Sequence, residues 1–252
     1  MAMRVAVLGA SGRIGRDVVD VLKGRGHEVV AATREVGVDA YSGGGLAAAL
    51  AGVEVVVDAI NAATTETDAV VDFFRTIGHN VQSAAADAGV RRIVLVSIIG
   101  IDEFPAGHYA GKVAHERAYR EGAVPVRVLR AAQFHEFTEM MLDWTTQGDT
   151  AYVPKMRTQL VAARTVAERL AAMVVEPDGA DLVEIAGPHE VNLASATAKL
   201  AARRGVPAHV REVVLDDDPN HRLQADGALL PRPGAIIAGP TFDEWLDAHY
   251  PA

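Results

Sequence analysis

The stretch Val5-Ala6-Val7-Leu8-Gly9-Ala10-Ser11-Gly12-Arg13-Ile14-Gly15 decides the reading of this chain. Four apolar residues lead into three glycines spaced three apart. Apolar residues then recur at Ile14, Val18, Val19, Val21 and Leu22. That order is strand, tight turn, helix: Arg4–Leu8 reads as a buried strand and residues 13–23 as a helix, ended by Gly24 and Gly26. In this context each glycine has its own task. Gly9 permits the turn, Gly12 lets the backbone approach a pyrophosphate, and Gly15 lets the helix pack on the strand. The helix start adds free N–H groups and a positive dipole end. Gly9, Ala10, Ser11, Gly12, Arg13, Ile14 and Gly15 are therefore candidate dinucleotide contacts. The plainer alternative is a glycine-rich turn with no ligand; the strand before it and the helix after it weigh against that.

Outward from this unit the alternation repeats. Glu28–Ala32, 54–58, 92–97 and 126–130 read as strands; Leu46–Leu50, 69–88 and 108–121 read as helices. Short connections between them imply parallel strands covered on both faces, an α/β Rossmann-type doubly wound parallel sheet. After about residue 133 the rhythm loosens. Residues 134–146, 166–174, Leu193–Arg204 and Phe242–His249 look helical, while 150–153, Leu182–Ala186 and 210–215 look extended. Pro231-Arg232-Pro233-Gly234 marks a loop. The expected division is a nucleotide-binding Rossmann core over residues 1–135 and a small C-terminal substrate-binding α/β region over 136–252, partly interleaved in one compact unit.

Composition narrows the classes. A formal charge of -9 repels phosphate backbones, so nucleic acid is a poor partner, although one local basic site suffices for a single phosphate. The absence of cysteine removes disulfides, thiolate catalysis and cysteine-based zinc sites. No His, Asp or Glu cluster has metal-ligand spacing, and Asp216-Asp217-Asp218 reads as a solvated turn. There is no Gly-x-Ser-x-Gly elbow of a hydrolase. No apolar run approaches the ~20 residues of a membrane helix. The first residues enter a strand directly, without a signal-peptide pattern. The expectation is a cytoplasmic protein that takes a small-molecule substrate, with neither membrane nor metal; a homo-oligomer stays open.

The end of the second strand speaks to the cofactor. A site for NAD usually has an acid there to bond the ribose 2′-hydroxyl. This chain reads Ala31-Ala32-Thr33-Arg34. The Arg34 guanidinium suits a phosphate dianion, Thr33 adds a hydroxyl, and Arg13 brings a second cation. Together they favour NADP(H), against the acid Glu35 one position later. The alternative is that Arg34 is a solvated surface residue.

The glycine spacing resembles the short-chain dehydrogenase/reductase superfamily, in particular its atypical NmrA-like branch. The resemblance extends through Val94-Leu95-Val96-Ser97-Ile98-Ile99-Gly100-Ile101-Asp102, Lys112 with Glu116, and Leu129-Arg130-Ala131-Ala132-Gln133-Phe134-His135. It spans most of residues 4–135 and then fades. It implies that Asp58, Ala59 and Asn61 pass the adenine or its ribose and that Ser97 approaches the nicotinamide ribose. Ser97 and Asn61 would equally serve as caps of the following turns. Phe134, at the carboxyl edge of the sheet, is a candidate to pack on the nicotinamide, and Gln133 or His135 to meet substrate; His135 also reads as a plain loop residue.

Reductases of this superfamily use a tyrosine as acid and a lysine four residues later, which lowers the phenol pKa and holds the ribose. Here the order is His108-Tyr109-Ala110-Gly111-Lys112, with Tyr109 three before the lysine and His108 four before it. Three readings stand: Tyr109 is the acid, His108 is the acid, or neither acts and Lys112 works alone or only holds the ribose. Glu116, four after Lys112, reads as its ion-pair partner. Met140, Met141, Trp144, Tyr152 and Met156 are bulky enough to line a pocket and spaced well enough to be core. The resemblance implies NADPH-dependent hydride transfer to a carbonyl, quinone or conjugated double bond beside Lys112 and Tyr109. The same residues also suit an NADP(H)-binding redox sensor without turnover, or a retained-cofactor epimerase or isomerase.

Overall fold

A computed structural model describes residues 2–176, 178–215 and 217–251. Its elements run β1 (Arg4–Leu8), α1 (Arg13–Gly24), β2 (Glu28–Ala32), α2 (Leu46–Leu50), β3 (Val55–Asp58), α3 (Thr67–Asp87), β4 (Arg92–Ile98), α4 (Gly107–Arg120), β5 (Val126–Ala131), α5 (Phe137–Thr145), β6 (Thr146–Gln147), β7 (Thr150–Pro154), β8 (Arg157–Thr158), α6 (Ala163–Val175), β9 (Leu182–Ala186), β10 (Val191–Asn192), α7 (Leu193–Arg204), β11 (His209–Val213), α8 (Pro219–Asp226), β12 (Ile236–Ile237) and α9 (Phe242–His249). The central sheet has seven strands in the order β12-β9-β5-β4-β3-β1-β2. β1 pairs in parallel with β2 on one side and β3 on the other, with Val5 opposite both Val29 and Val55. The chain therefore leaves β1 in one direction and returns to build in the other. A Rossmann-type sheet binds its ligand beyond the carboxyl ends of the strands at such a reversal.

The chain divides into two compact units: Met1–Ser97, Ala106–Arg130 and Val166–Val183 form one, and Ile98–Pro105, Ala131–Thr165 and Glu184–Ala252 the other. The first unit has an aliphatic core that includes Leu8, Leu46, Leu50, Val56, Ile77, Ile93, Leu95 and Val128, with the ring of Tyr119 among them. Each such side chain contributes about 1.5–3 kcal/mol on burial. Gly111 lets α4 approach α3: a Cβ there would lie 2.8 Å from Val70 Cγ2 and 3.0 Å from Phe74 Cδ2.

The second unit carries a three-stranded sheet, β11-β7-β6, and the antiparallel pair β10-β8. Asn192 caps α7 by accepting from the Ser195 N–H, and Thr241 with Glu244 forms a capping box on α9. The expected helix over 134–146 starts only at Phe137; Phe134 instead bridges to Val161. α8 and the two-residue strands β6, β8, β10 and β12 were not expected. The acidic run is not simply a turn: Asp218 caps α8 by accepting from the Asn220 N–H, with Pro219 in the first turn, while Asp216 lies outside the described residues. Among the described residues no helix is long and apolar enough to cross a membrane, and no group of three or more His, Asp or Glu is placed to hold a metal ion.

Candidate functional site

The glycine turn follows β1 directly. Gly9 has φ +73°, and a Cβ on it would lie 2.9 Å from the backbone carbon of Ala59, the residue after β3. A Cβ on Gly15 would lie 2.1 Å from the Gly9 carbonyl oxygen. These two glycines thus answer to contacts inside the protein. Gly9 N–H donates to Ala32 O (3.2 Å) and Gly12 N–H to Gly9 O (2.9 Å), tying the turn to the end of β2 and to itself. No side chain caps α1, and its first turn holds no acidic residue. A helix start in that condition favours an anion by its N–H groups and dipole.

Beside the turn lies an open groove of about 390 Å³ lined by Ala10, Ser11, Arg16, Val19, Asp20, Lys23, Ala31 and Thr33. Thr33 precedes the short 3₁₀ turn Arg34–Val36, and Arg34, Arg13 and Asn61 are exposed. Arg16 and Lys23 are additions to the expected set. They lie on α1 at spacings that put both beside the groove, a signal present in the helical period.

The end of β4 and the start of α4 hold the ionisable groups. Lys112 is 5% exposed, and its Nζ donates to Val96 O at 3.2 Å. The ammonium stands 4.6 Å from the Phe74 ring centroid, a cation–π arrangement. Burial pulls its pKa down to about 8, against the opposing pull of Asp58 and Glu116. Ser97 is buried as well, with an Oγ that has no hydrogen-bond partner. The expected Lys112–Glu116 ion pair is not formed. Glu116 instead receives Arg130 at 2.8 and 2.9 Å and Arg120 at 3.0 Å, because β5 delivers a guanidinium fork to its carboxylate.

His108 shares the face of Lys112, its ring 5.7 Å from Phe74 in an edge contact. Burial, then the nearby Lys112 and His115, push its pKa down to about 4. A neutral imidazole at pH 7 is a poor general acid. Tyr109 is half-buried on the neighbouring face.

Asp58 departs from expectation. Its side chain is fully buried, accepting from Tyr119 Oη (2.6 Å) and Ile60 N–H (2.8 Å), with His115 Nε2 at 3.0 Å. With no exposure, that carboxylate is turned into the protein rather than toward an adenine ribose. Burial drives this carboxyl up, but those partners hold it below the usual carboxylate range. His115 and Tyr119 are the residues that sequence reasoning missed. Their signal was present: His108, Lys112, His115 and Tyr119 fall within about 60° on a helix turning ~100° per residue.

A model of the NAD(P)H-binding family matches residues 9–177. The chain belongs to that family. No curated protein sequence matches it. Among solved structures, this NAD(P)H-binding chain is similar to the Bordetella bronchiseptica enzyme WbmG in complex with NAD and UDP (TM-score 0.73, 17% identity, covering 99% of this chain and 95% of that one). It is also similar to a Bacillus cereus UDP-N-acetylglucosamine 4-epimerase (TM-score 0.70, 17% identity, 98% and 95% covered). A third is an Escherichia coli NADPH-dependent quinone oxidoreductase (TM-score 0.67, 18% identity, 97% and 98% covered). At such identities the likeness is one of fold, and the family match carries the NAD(P)H-binding assignment. The residues present fit that cofactor: a glycine turn, an uncapped helix start and an orphaned buried Ser97 hydroxyl.

In this NAD(P)H-binding protein the second unit answers the remaining expectations. Phe134 is half-buried, and Gln133 Oε1 accepts from Thr158 Oγ1 at 3.0 Å. His135 is fully buried, with Nε2 3.1 Å from Pro240 O and its ring between Phe242 and Trp245. It is a packing residue rather than a substrate contact. Met141 and Met156 are core, whereas Trp144 is 65% exposed, its ring in edge contact with Phe137.

Proposed function

We propose that the chain is an NADPH-dependent oxidoreductase that delivers hydride to a carbonyl, quinone or conjugated double bond of a small molecule. The observation that carries this reading is Lys112: a lysine of α4 buried against the end of β4, its Nζ on the Val96 carbonyl and its pKa drawn down to about 8. Strongly displaced titrations cluster where chemistry is done. Bound cofactor supplies the hydride. The protein would hold its pyrophosphate on Gly12 and the α1 start, its adenosine phosphate on Thr33 and Arg34 with Arg13 near, and its nicotinamide ribose on Ser97 and Lys112. Ala59 and Asn61 follow β3 toward the adenine side, and Phe134 is the candidate to cover the nicotinamide. Tyr109 donates the proton to the reduced oxygen, and Lys112 as ammonium eases its loss from the phenol.

The test is NADPH consumption with a panel of quinones, aldehydes and enones, run with wild type and Tyr109→Phe. Turnover that falls at least tenfold on losing the phenol supports the reading. Tight NADPH binding with no turnover across the panel overturns it. One observation favours a second reading, a non-catalytic NADP(H) sensor: the residue four before Lys112 is a histidine whose proton is lost by about pH 4. A sensor must bind NADP+ and NADPH unequally, which isothermal titration measures.

A further inference from the structure

The buried charges around Lys112 close into one balance. The Nζ donates to the neutral carbonyl of Val96 and faces the neutral ring of Phe74. Glu116, on the same helix, is occupied by Arg130 and Arg120. No carboxylate hydrogen-bonds the lysine among the described residues. Asp58 is the mirror case: a fully buried carboxylate that accepts from a phenol and a backbone amide, with an imidazole nitrogen 3.0 Å away.

That imidazole is neutral. His115 has no exposure, and neither ring nitrogen has a hydrogen-bond partner among the described residues. A second proton would thus leave an unsatisfied N–H in the core. Burial also lowers the His115 pKa, and raises that of Tyr119 well above its ordinary value. One negative charge on Asp58 and one positive charge on Lys112 then remain, with the Phe74 ring 4.7 Å from the His115 ring and under the ammonium.

We propose that Asp58 is the counter-charge that keeps the buried Lys112 an ammonium, with Tyr119 donating to it as the carboxylate this requires. The proposal rests on Lys112 as the residue of the reacting centre. Asp58 ends β3 in register with Leu95, next to the Val96 whose carbonyl takes the Lys112 Nζ; Phe74 from α3 lies under the ammonium, His108, His115 and Glu116 share α4 with Lys112, and Arg130 from β5 is spent on Glu116. Asp58 is the one anion in that set without a cationic side chain bonded to it.

The experiment is an NMR titration of the Lys112 side chain, assigned by its disappearance in Lys112→Arg. In Asp58→Asn the midpoint should fall from near 8 by about one pH unit or more, the usual effect of removing a close opposite charge. His115→Gln keeps a neutral donor and should leave the midpoint within about 0.3 unit by the same logic. An unmoved midpoint in Asp58→Asn overturns the proposal. A fall in His115→Gln as large as that in Asp58→Asn also overturns it, since the effect would then not belong to the Asp58 charge. Should Asp58→Asn not fold, the reciprocal arm decides. In Lys112→Met the Asp58 carboxyl, followed by carbon NMR, should titrate at higher pH than in wild type, because coupling between two sites is mutual. An unchanged Asp58 titration is the overturning result. Neither titration involves cofactor or turnover, so a chain inert toward NADPH would leave this outcome standing.

Discussion

The ammonium of Lys112 stands 4.6 Å over the face of Phe74, buried and without a carboxylate hydrogen bond. The folded chain thus tolerates a charge that water would solvate better. A displacement from 10.5 to about 8 corresponds to roughly 3 kcal/mol, at about 1.4 kcal/mol per pH unit. Lys112→Met should therefore be more stable than wild type at pH 7, by a part of that amount, while losing turnover. The folded pKa lies below the unfolded one, so the cost is full below pH 8 and vanishes as pH rises toward 10.5. Urea melts at pH 7 and pH 10 check this; a variant gaining nothing at pH 7 would contradict it.

Arg34 is the exposed cation at the end of β2. A charge-assisted hydrogen bond is worth about 1.5–3 kcal/mol, so Arg34→Asp should weaken NADPH binding by roughly tenfold to a hundredfold. NADH binding should change by less than about threefold, since it has no 2′-phosphate to lose. Fluorescence titration of both cofactors decides; equal losses would remove the phosphate assignment.

Gly15 has no room for a methyl group, because its Cβ would fall 2.1 Å from the Gly9 carbonyl oxygen. Gly15→Ala should push α1 off β1, cost about 1–3 kcal/mol of stability and abolish cofactor binding at the turn. Thermal melting with and without NADPH reports both effects. A variant that melts and binds like wild type would show that α1 moves freely against the turn.

Acid should unfold the protein partly through histidines. Burial pushes His135 from 6.5 down to about 4, partly opposed by its bond to Pro240. The native state therefore resists a proton that the unfolded chain accepts. Stability present above pH 6.5 is lost as pH falls toward 4. His135→Gln should flatten that slope, leaving the part due to His108, which titrates in the same displaced range. A variant with the full wild-type slope would contradict this.

The sheet and the glycine turn were legible because their causes are local. Gly9 and Gly15 are demanded by contacts within a few residues or at the adjacent strand end, and apolar strand alternates with helix throughout the first unit. Asp58 was misread because its neighbours in sequence say nothing of Tyr119, which meets it from 61 residues away. Glu116 was misread for the same reason: helical spacing offered Lys112, while Arg130 came from another strand. His115 and Tyr119 were readable from the spacing of His108 and Lys112, yet only the buried Asp58 gives that face a purpose. α8 escaped because it is polar, with the cap Asp218-Pro219 and the stop Gly227 as its only signs.

Phe74 belongs to the seam that Gly111 draws tight, and it touches a charge as well as an imidazole. A screen that judges core substitutions by expression and folding alone reads the packing at this position and not its contact with the ammonium. For anyone diversifying the protein, Phe74 is best held fixed alongside Lys112, although its apolar side chain would ordinarily mark it as free to vary.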